Sequence, residues 1–183
     1  MSAVQKFLSG NQRFREGEFQ DEAELYSALA KGQHPTLLWI GCSDSRVSET
    51  TVTQSKPGDI FVYRNVANLV AFNDIGLSAV LTYGLEHLNI RDVVVCGHLK
   101  CGGVQAMCVG VEEAAISDWL LIGGRAVQAG GGEWDAVVRT NVELQVEHLA
   151  ALAVVRKSKP RLHGWVYDLA TGGLEVVVDG AGA

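Results

Sequence analysis

The segment CGHLKCGG, residues 96–103, sets an imidazole (His98) three positions before a thiol (Cys101), directly after the apolar run DVVV and directly before two glycines. A second thiol, Cys42, closes another apolar run in WIGCSDSRV and is followed at once by Asp44 and Arg46. Two thiolates and an imidazole are donors that zinc favours, and three protein ligands leave a fourth position open for chemistry. A lone His-x-x-Cys is a weak signal, because buried histidines and cysteines are commonly plain core side chains. The joint pattern is stronger. Cys42 and His98 each fall at the end of an apolar run, Cys101 follows three residues later, and a carboxylate and a guanidinium beside Cys42 must be paired or functional.

Donors at strand ends converge only if the strands lie side by side, and in open parallel sheets ligands bind beyond the carboxyl ends of the strands. The sequence supplies such strands: TLLWIGC (36–42), DIFVYRN (59–65), DVVVCGH (92–98) and HGWVYDL (163–169). LEVVVDG (174–180), joined to the last by ATGG, reads as an antiparallel hairpin partner. Between strands, residues 73–88 are apolar at 75, 77, 80, 81, 85 and 88, close to helical spacing, with Asn73 or Asp74 as cap. Residues 134–155 repeat the helical pattern, while 122–134, with five glycines and no nucleotide-binding spacing, read as a loose connection. The expectation is an α/β fold: a mostly parallel four-stranded central sheet, an added antiparallel edge strand, and helices on its faces.

Composition narrows the function classes. A chain of 183 residues, 48% hydrophobic and 20% charged, reads as one soluble globular domain over 1–183 with room for a core. A net charge of −6 argues against sequence-independent nucleic-acid binding, which needs a basic face. No apolar run approaches the roughly 20 residues that span a bilayer. The start MSAVQKFLSGNQRFREGEF is amphipathic rather than a signal sequence, so an intracellular, cytoplasmic protein with no membrane partner is expected. Four cysteines in a chain of this length do not suggest a disulfide scaffold. Cys96 reads as a buried strand residue and Cys108 as helix packing. His34, His87, His148 and His163 have no partner in sequence and read as structural or solvated, with one of them open as a proton shuttle.

Taken together, CSDSR (42–46), RNVAN (64–68), CGHLKCGG (96–103) and HGWVYD (163–168) resemble the β-class carbonic anhydrases, in the same order and over roughly residues 30–175. The resemblance implies one zinc per subunit on Cys42, His98 and Cys101, hydrating CO₂ reversibly to bicarbonate through a zinc-bound hydroxide. It implies an obligate dimer in which an N-terminal helical arm, residues 1–32, packs on the partner; the short C-terminus DGAGA points to a homodimer or compact homotetramer. Two thiolates cancel the formal charge of Zn²⁺, so its water should be less acidic than in an all-imidazole site, where the pKa is about 7, and activity should favour neutral to alkaline pH. Asp44 is expected to orient the nucleophile and Arg46 to keep Asp44 ionised. In the family the equivalent aspartate can also swing onto the metal, so Asp44 stands as gate or closed-state ligand.

By the same resemblance Gln33, Tyr83 and the Gly102 backbone line the substrate pocket, with Phe61 and Val66 added from the matching segment. The alternatives are core packing for Tyr83 and a surface loop for Gln33. Trp39, Arg64 and Tyr167 match a non-catalytic bicarbonate site of one branch, or are strand residues and an ion-pair partner. The chain departs from the usual pattern at Leu99, which makes the loop between the second and third ligands more apolar, at Lys100, which is expected to add a cation close to the site, and at Ser48 in place of a common proline. Substrate preference therefore stays open between CO₂ and carbonyl sulfide, which the same site would hydrolyse to hydrogen sulfide and CO₂. A third reading is a non-catalytic zinc protein or bicarbonate sensor, with Asp44 as permanent fourth ligand.

Overall fold

The computed structural model describes residues 2–182, and the side chains of 2–180. The chain divides into two compact units, Met1–His34 and Pro35–Ala183. The first holds α1 (Ala3–Glu16), α2 (Glu18–Asp21) and α3 (Ala23–Leu29). Ser2 and Gln5 form a reciprocal capping box at the start of α1. Phe14, Phe19 and Tyr26 pack on one another, and Val4, Phe7 and Leu8 of α1 are exposed.

The second unit runs β1 (Leu37–Cys42), α4 (Glu49–Thr53), β2 (Ile60–Asn65), α5 (Ile75–Thr82), β3 (Asp92–His98), α6 (Gly102–Val109), α7 (Ala114–Leu120), α8 (Gly124–Ala129), α9 (Trp134–Ala151), α10 (Ala153–Ser158), β4 (Arg161–Tyr167) and β5 (Leu174–Gly182). The five strands form one sheet in the order β2-β1-β3-β4-β5. β1 to β4 pair in parallel and β5 runs antiparallel to β4. The central strands are apolar on both faces because both faces are covered, as parallel strands require. On one side Leu38, Ile40, Val93 and Val95 join Leu77 and Leu81 of α5 and Val138, Val142 and Leu149 of α9 in the main core. On the other, Trp39, Val94 and Cys96 form a smaller cluster, with Trp39 edge-on to Trp165 at 6.0 Å between ring centroids. Asp74 caps α5 by accepting a hydrogen bond from the Leu77 backbone amide at 3.0 Å. Among the described residues no helix is long and apolar enough to cross a membrane.

Three local expectations are revised. Residues 122–134 are not a loose connection: α8 forms within them and buries Ala126. The glycine signal misled there because Gly123 serves close packing, a Cβ on it falling 2.4 Å from the Met107 sulfur. The helix over 134–155 breaks at Leu152, whose extended backbone (ψ 137°) redirects the chain into α10 and lets Val155 reach the core. β4 starts two residues earlier than the pattern suggests and ends at Tyr167, because Asp168 bonds the Ala170 amide and the Thr171 hydroxyl in the following turn.

Candidate metal centre

Cys42 is the last residue of β1, His98 the last of β3, and Cys101 the cap residue before α6. Because β1 and β3 are neighbours in parallel register, with Gly41 opposite Cys96, their carboxyl ends bring the donors together. The two sulfurs lie 3.8 Å apart, and the donor atoms of all three residues fall within 4.8 Å of one another. All three are buried, at 6%, 0% and 1% exposure.

The imidazole is prepared for a cation. His98 Nδ1 sits 3.0 Å from the Leu99 carbonyl oxygen, which can only accept, so Nδ1 carries the proton and Nε2 presents its lone pair. That Nε2 is buried with no hydrogen-bond partner, a costly arrangement unless something electron-poor occupies the space beside it. Two thiolates on one tetrahedral zinc at about 2.3 Å would stand about 3.8 Å apart, which is the separation found. The thiols behave as a pair. The bond from Cys101 is the main reason that Cys42 ionises below the ordinary thiol range; burial opposes it, while His98 and the backbone amides of Asp44 and Ala67 assist. Cys101, in that same bond and buried beside the Cys42 thiolate, is pushed up. One negative charge forms readily and the second waits for a cation, so the set fits a thiophilic divalent ion.

The profile of a protein family described as carbonic anhydrase matches residues 37–174. A carbonic anhydrase of Pseudomonas aeruginosa is 34% identical, the alignment covering 97% of this chain and 89% of that protein. One of Emericella nidulans is 32% identical over 91% of this chain and 80% of its own length. Among solved structures, a β-carbonic anhydrase from a study of two tetrameric enzymes of Sordaria macrospora superposes with a TM-score of 0.88 at 31% identity, covering 98% of each chain. The chain belongs to the β-carbonic anhydrase family. It is accordingly an enzyme of the lyase class, a carbonate dehydratase.

Around the donors, this β-carbonic anhydrase places Asp44 with its carboxylate clamped by Arg46. Arg46 Nε donates to Oδ1 at 2.9 Å and Nη2 to Oδ2 at 2.6 Å, and the Arg46 backbone amide adds a bond to Oδ1 at 2.9 Å. The Arg46 side chain is the chief cause that holds Asp44 well below the usual carboxylate range. Oδ2 also lies 3.6 Å from His98 Nε2, so Asp44 faces the donors without bonding to them. Arg46 Nη2 further donates to the Lys100 carbonyl at 3.2 Å, tying the loop after β1 to the loop after β3.

Arg64 is a splint for the 42–47 loop. Its Nε donates to the Cys42 carbonyl (2.9 Å) and its Nη2 to the carbonyls of Asp44 (2.7 Å) and Val47 (2.9 Å). Trp39 is buried against Trp165, and Tyr167 packs in the same cluster. Of the residues expected to line the pocket, Val66 lies against the first turn of α6, where a Cβ on Gly103 would come 3.0 Å from its Cγ1, and Gly102 follows Cys101 directly. Phe61 and Tyr83 form a tilted aromatic pair at 5.9 Å. Phe61 is opposite Leu38 while Asn65 is opposite Cys42, so Phe61 lies about 13 Å down the strand from the Cys42 level. Gln33 is exposed in the first unit.

Lys100 does not add a free cation to the site. It adopts a left-handed backbone (φ 57°), pairs with Asp135 at 3.0 Å and lies over the Trp134 ring at 5.2 Å. Trp134 in turn donates its indole N–H to the Cys101 carbonyl at 3.0 Å. Sequence reasoning missed the turn Val66–Asn68 within RNVAN. Ala67 (φ 64°) and Asn68 (φ 50°) are both left-handed there, and Asn65 brackets the turn by bonding both the amide and the carbonyl of Leu69. The two asparagines were the available signal, since asparagine tolerates that region and bonds locally.

Proposed function

We propose that this carbonic anhydrase is zinc-dependent, with one zinc per subunit on Cys42, His98 and Cys101, and that its substrate is CO₂. The orphaned, buried Nε2 of His98 beside two thiols 3.8 Å apart carries the reading. Zinc bound there supplies a Lewis acid that lowers the pKa of a water and so provides a nucleophile at neutral to alkaline pH. Asp44 is then the acceptor that takes a hydrogen bond from that nucleophile and aims it, and its Arg46 clamp keeps the carboxylate ionised while denying it to the metal. That clamp speaks for the open arrangement and against a permanently four-coordinate structural site. Val66 and the Gly102 backbone border the pocket within the chain. Phe61, about 13 Å down the strand from the Cys42 level, and Tyr83, paired with it, would line a pocket as contributions from a second copy, which favours a homodimer or compact homotetramer. Arg64 already serves three carbonyls, so bicarbonate binding with Trp39 and Tyr167 would have to compete with the splint.

The test is initial-rate CO₂ hydration near pH 8, followed by proton release with and without a zinc chelator, beside sulfide release from carbonyl sulfide. Fast hydration abolished by the chelator, with trace sulfide, is the expected result; dominant sulfide release would move the substrate to carbonyl sulfide. Asp44→Asn should keep stoichiometric metal and lose about 100-fold in turnover. Full activity in that variant would refute the orienting role, and stoichiometric zinc in Cys42→Ala, His98→Ala or Cys101→Ala would refute the ligand set.

A further inference from the structure

The turn Val66–Asn68 is held in two consecutive left-handed non-glycine conformations, which persist only where the surroundings impose them. Asn65 brackets the turn locally, and α9 holds it from across the core, where Asn141, Gln145 and His148 follow one another at helical spacing along one stripe. The Val70 backbone amide donates to Gln145 Oε1 at 2.8 Å, Gln145 Nε2 donates to Asn141 Oδ1 at 2.9 Å, and Asn141 Nδ2 donates to the Ala67 carbonyl at 3.1 Å. His148 Nδ1 adds a bond to the Val70 carbonyl at 3.2 Å. The direction of the relay is fixed at both ends, because a backbone amide can only donate and a carbonyl can only accept. Asn141 and Gln145 are 1% and 0% exposed. Amides so deeply buried are tolerable only with their bonds made, and these bonds keep a turn left-handed, which apolar packing would not do.

On its other side the turn is wedged against the ligand-bearing elements. A Cβ on Gly103, in the first turn of α6, would lie 3.0 Å from the Ala67 Cβ, and one on Gly97, just before His98, would lie 3.4 Å from Asn68 Oδ1. We propose that Asn141 and Gln145 are positioning residues for the metal centre: through the Ala67–Asn68 turn they set where Cys101 and His98 stand relative to Cys42. The inference rests on the zinc reading above and extends it to two residues that touch no donor.

The experiment compares Asn141→Leu and Gln145→Leu with Val155→Ala, a fully buried α10 position outside the turn that loses core volume. Zinc affinity is read by competition with a chromophoric chelator, and site geometry by the thiolate-to-cobalt absorption of protein loaded with Co²⁺. The expected result is at least about tenfold weaker zinc binding and shifted cobalt bands in the two α9 variants, with Val155→Ala matching wild type in both. Wild-type affinity and spectrum in folded α9 variants would overturn the proposal. Should both fail to fold, amide exchange of the wild type decides. By reciprocity, metal loading should then slow exchange at the Val70 amide more than at Leu162 in β4, and equal slowing at the two would overturn the proposal. Failure of the wild type itself to bind zinc or cobalt would sink the zinc reading, whereas tight wild-type binding with unaffected variants sinks only the positioning role.

Discussion

Adjacent glycines at the start of α6 should respond to alanine with opposite sign. A Cβ on Gly102 meets nothing within 4 Å, so Gly102→Ala removes freedom from the unfolded chain and favours the helix, a gain of about 0.5–1 kcal/mol. A Cβ on Gly103 meets Ala67 Cβ and Val66 Cγ1 at 3.0 Å and the Ala67 amide nitrogen at 3.4 Å. Val66 is half exposed and can rotate away. Ala67 cannot, because Asn141 holds its carbonyl and its backbone is already left-handed. Overpacking against a fixed neighbour costs about 1–3 kcal/mol; less the helical gain, Gly103→Ala should lose up to about 2.5 kcal/mol. The two variants then differ by the overpacking cost alone, about 1–3 kcal/mol, or roughly 2–12 °C in melting temperature for a chain of this size. Thermal unfolding by circular dichroism, at fixed protein and zinc concentrations, reads the difference. Because Cys101 caps the same helix, Gly103→Ala should also weaken metal binding. Melting of Gly103→Ala at or above the wild-type temperature would refute the claim that the turn is rigid.

Lys100→Ala should leave the ratio of CO₂ to carbonyl sulfide rates unchanged and cost under about 1 kcal/mol in stability, since the ammonium is spent on Asp135 and Trp134; paired rate and melting measurements check both. Asp92 accepts from Arg161 at 2.6 Å and His163 at 2.9 Å, and Arg161 above all, against a smaller effect of burial, holds it below the usual carboxylate range. A depressed carboxylate stabilises above its unfolded pKa of about 4 and loses that contribution as pH falls. Arg161→Ala should therefore be less stable than wild type at pH 7, and the gap should close on acidification in a pH series of denaturant melts. Burial pushes the Cys96 thiol up, so a thiol reagent at pH 8 should leave Cys96 unmodified until the protein unfolds, as peptide mapping would show.

The strands and the convergence of Cys42, His98 and Cys101 were legible because both signals are local: apolar runs followed at their ends by thiol and imidazole residues. β3 lies where its sequence places it, and β1 and β2 differ by one residue at their starts. Asp74 as cap was legible for the same reason, a short-range bond three residues long. What escaped the sequence depends on distant partners. The polar stripe of α9 reads as ordinary helix surface until Gln145 and Asn141 are found 75 and 74 positions from the residues they bond. Lys100 looked like a cation for the site because Asp135, its partner, sits 35 residues away. Phe61 belongs to a segment that matches the family, yet a single chain leaves it about 13 Å below the Cys42 level, a separation no motif spacing records.

Because Cys42 and His98 end neighbouring parallel strands, a metal centre built on them would double as a gauge of strand alignment. A one-residue slip of β1 against β3 would carry Cys42 about 3.3 Å along the sheet and turn it to the opposite face, and the three donors could no longer close on one ion. A cation added during refolding would thus stabilise by mass action the molecules whose two central strands are correctly aligned. The fraction of chains that retain metal after refolding would then count correct assembly chain by chain, so that the ion proposed to serve turnover would also certify the fold that holds it.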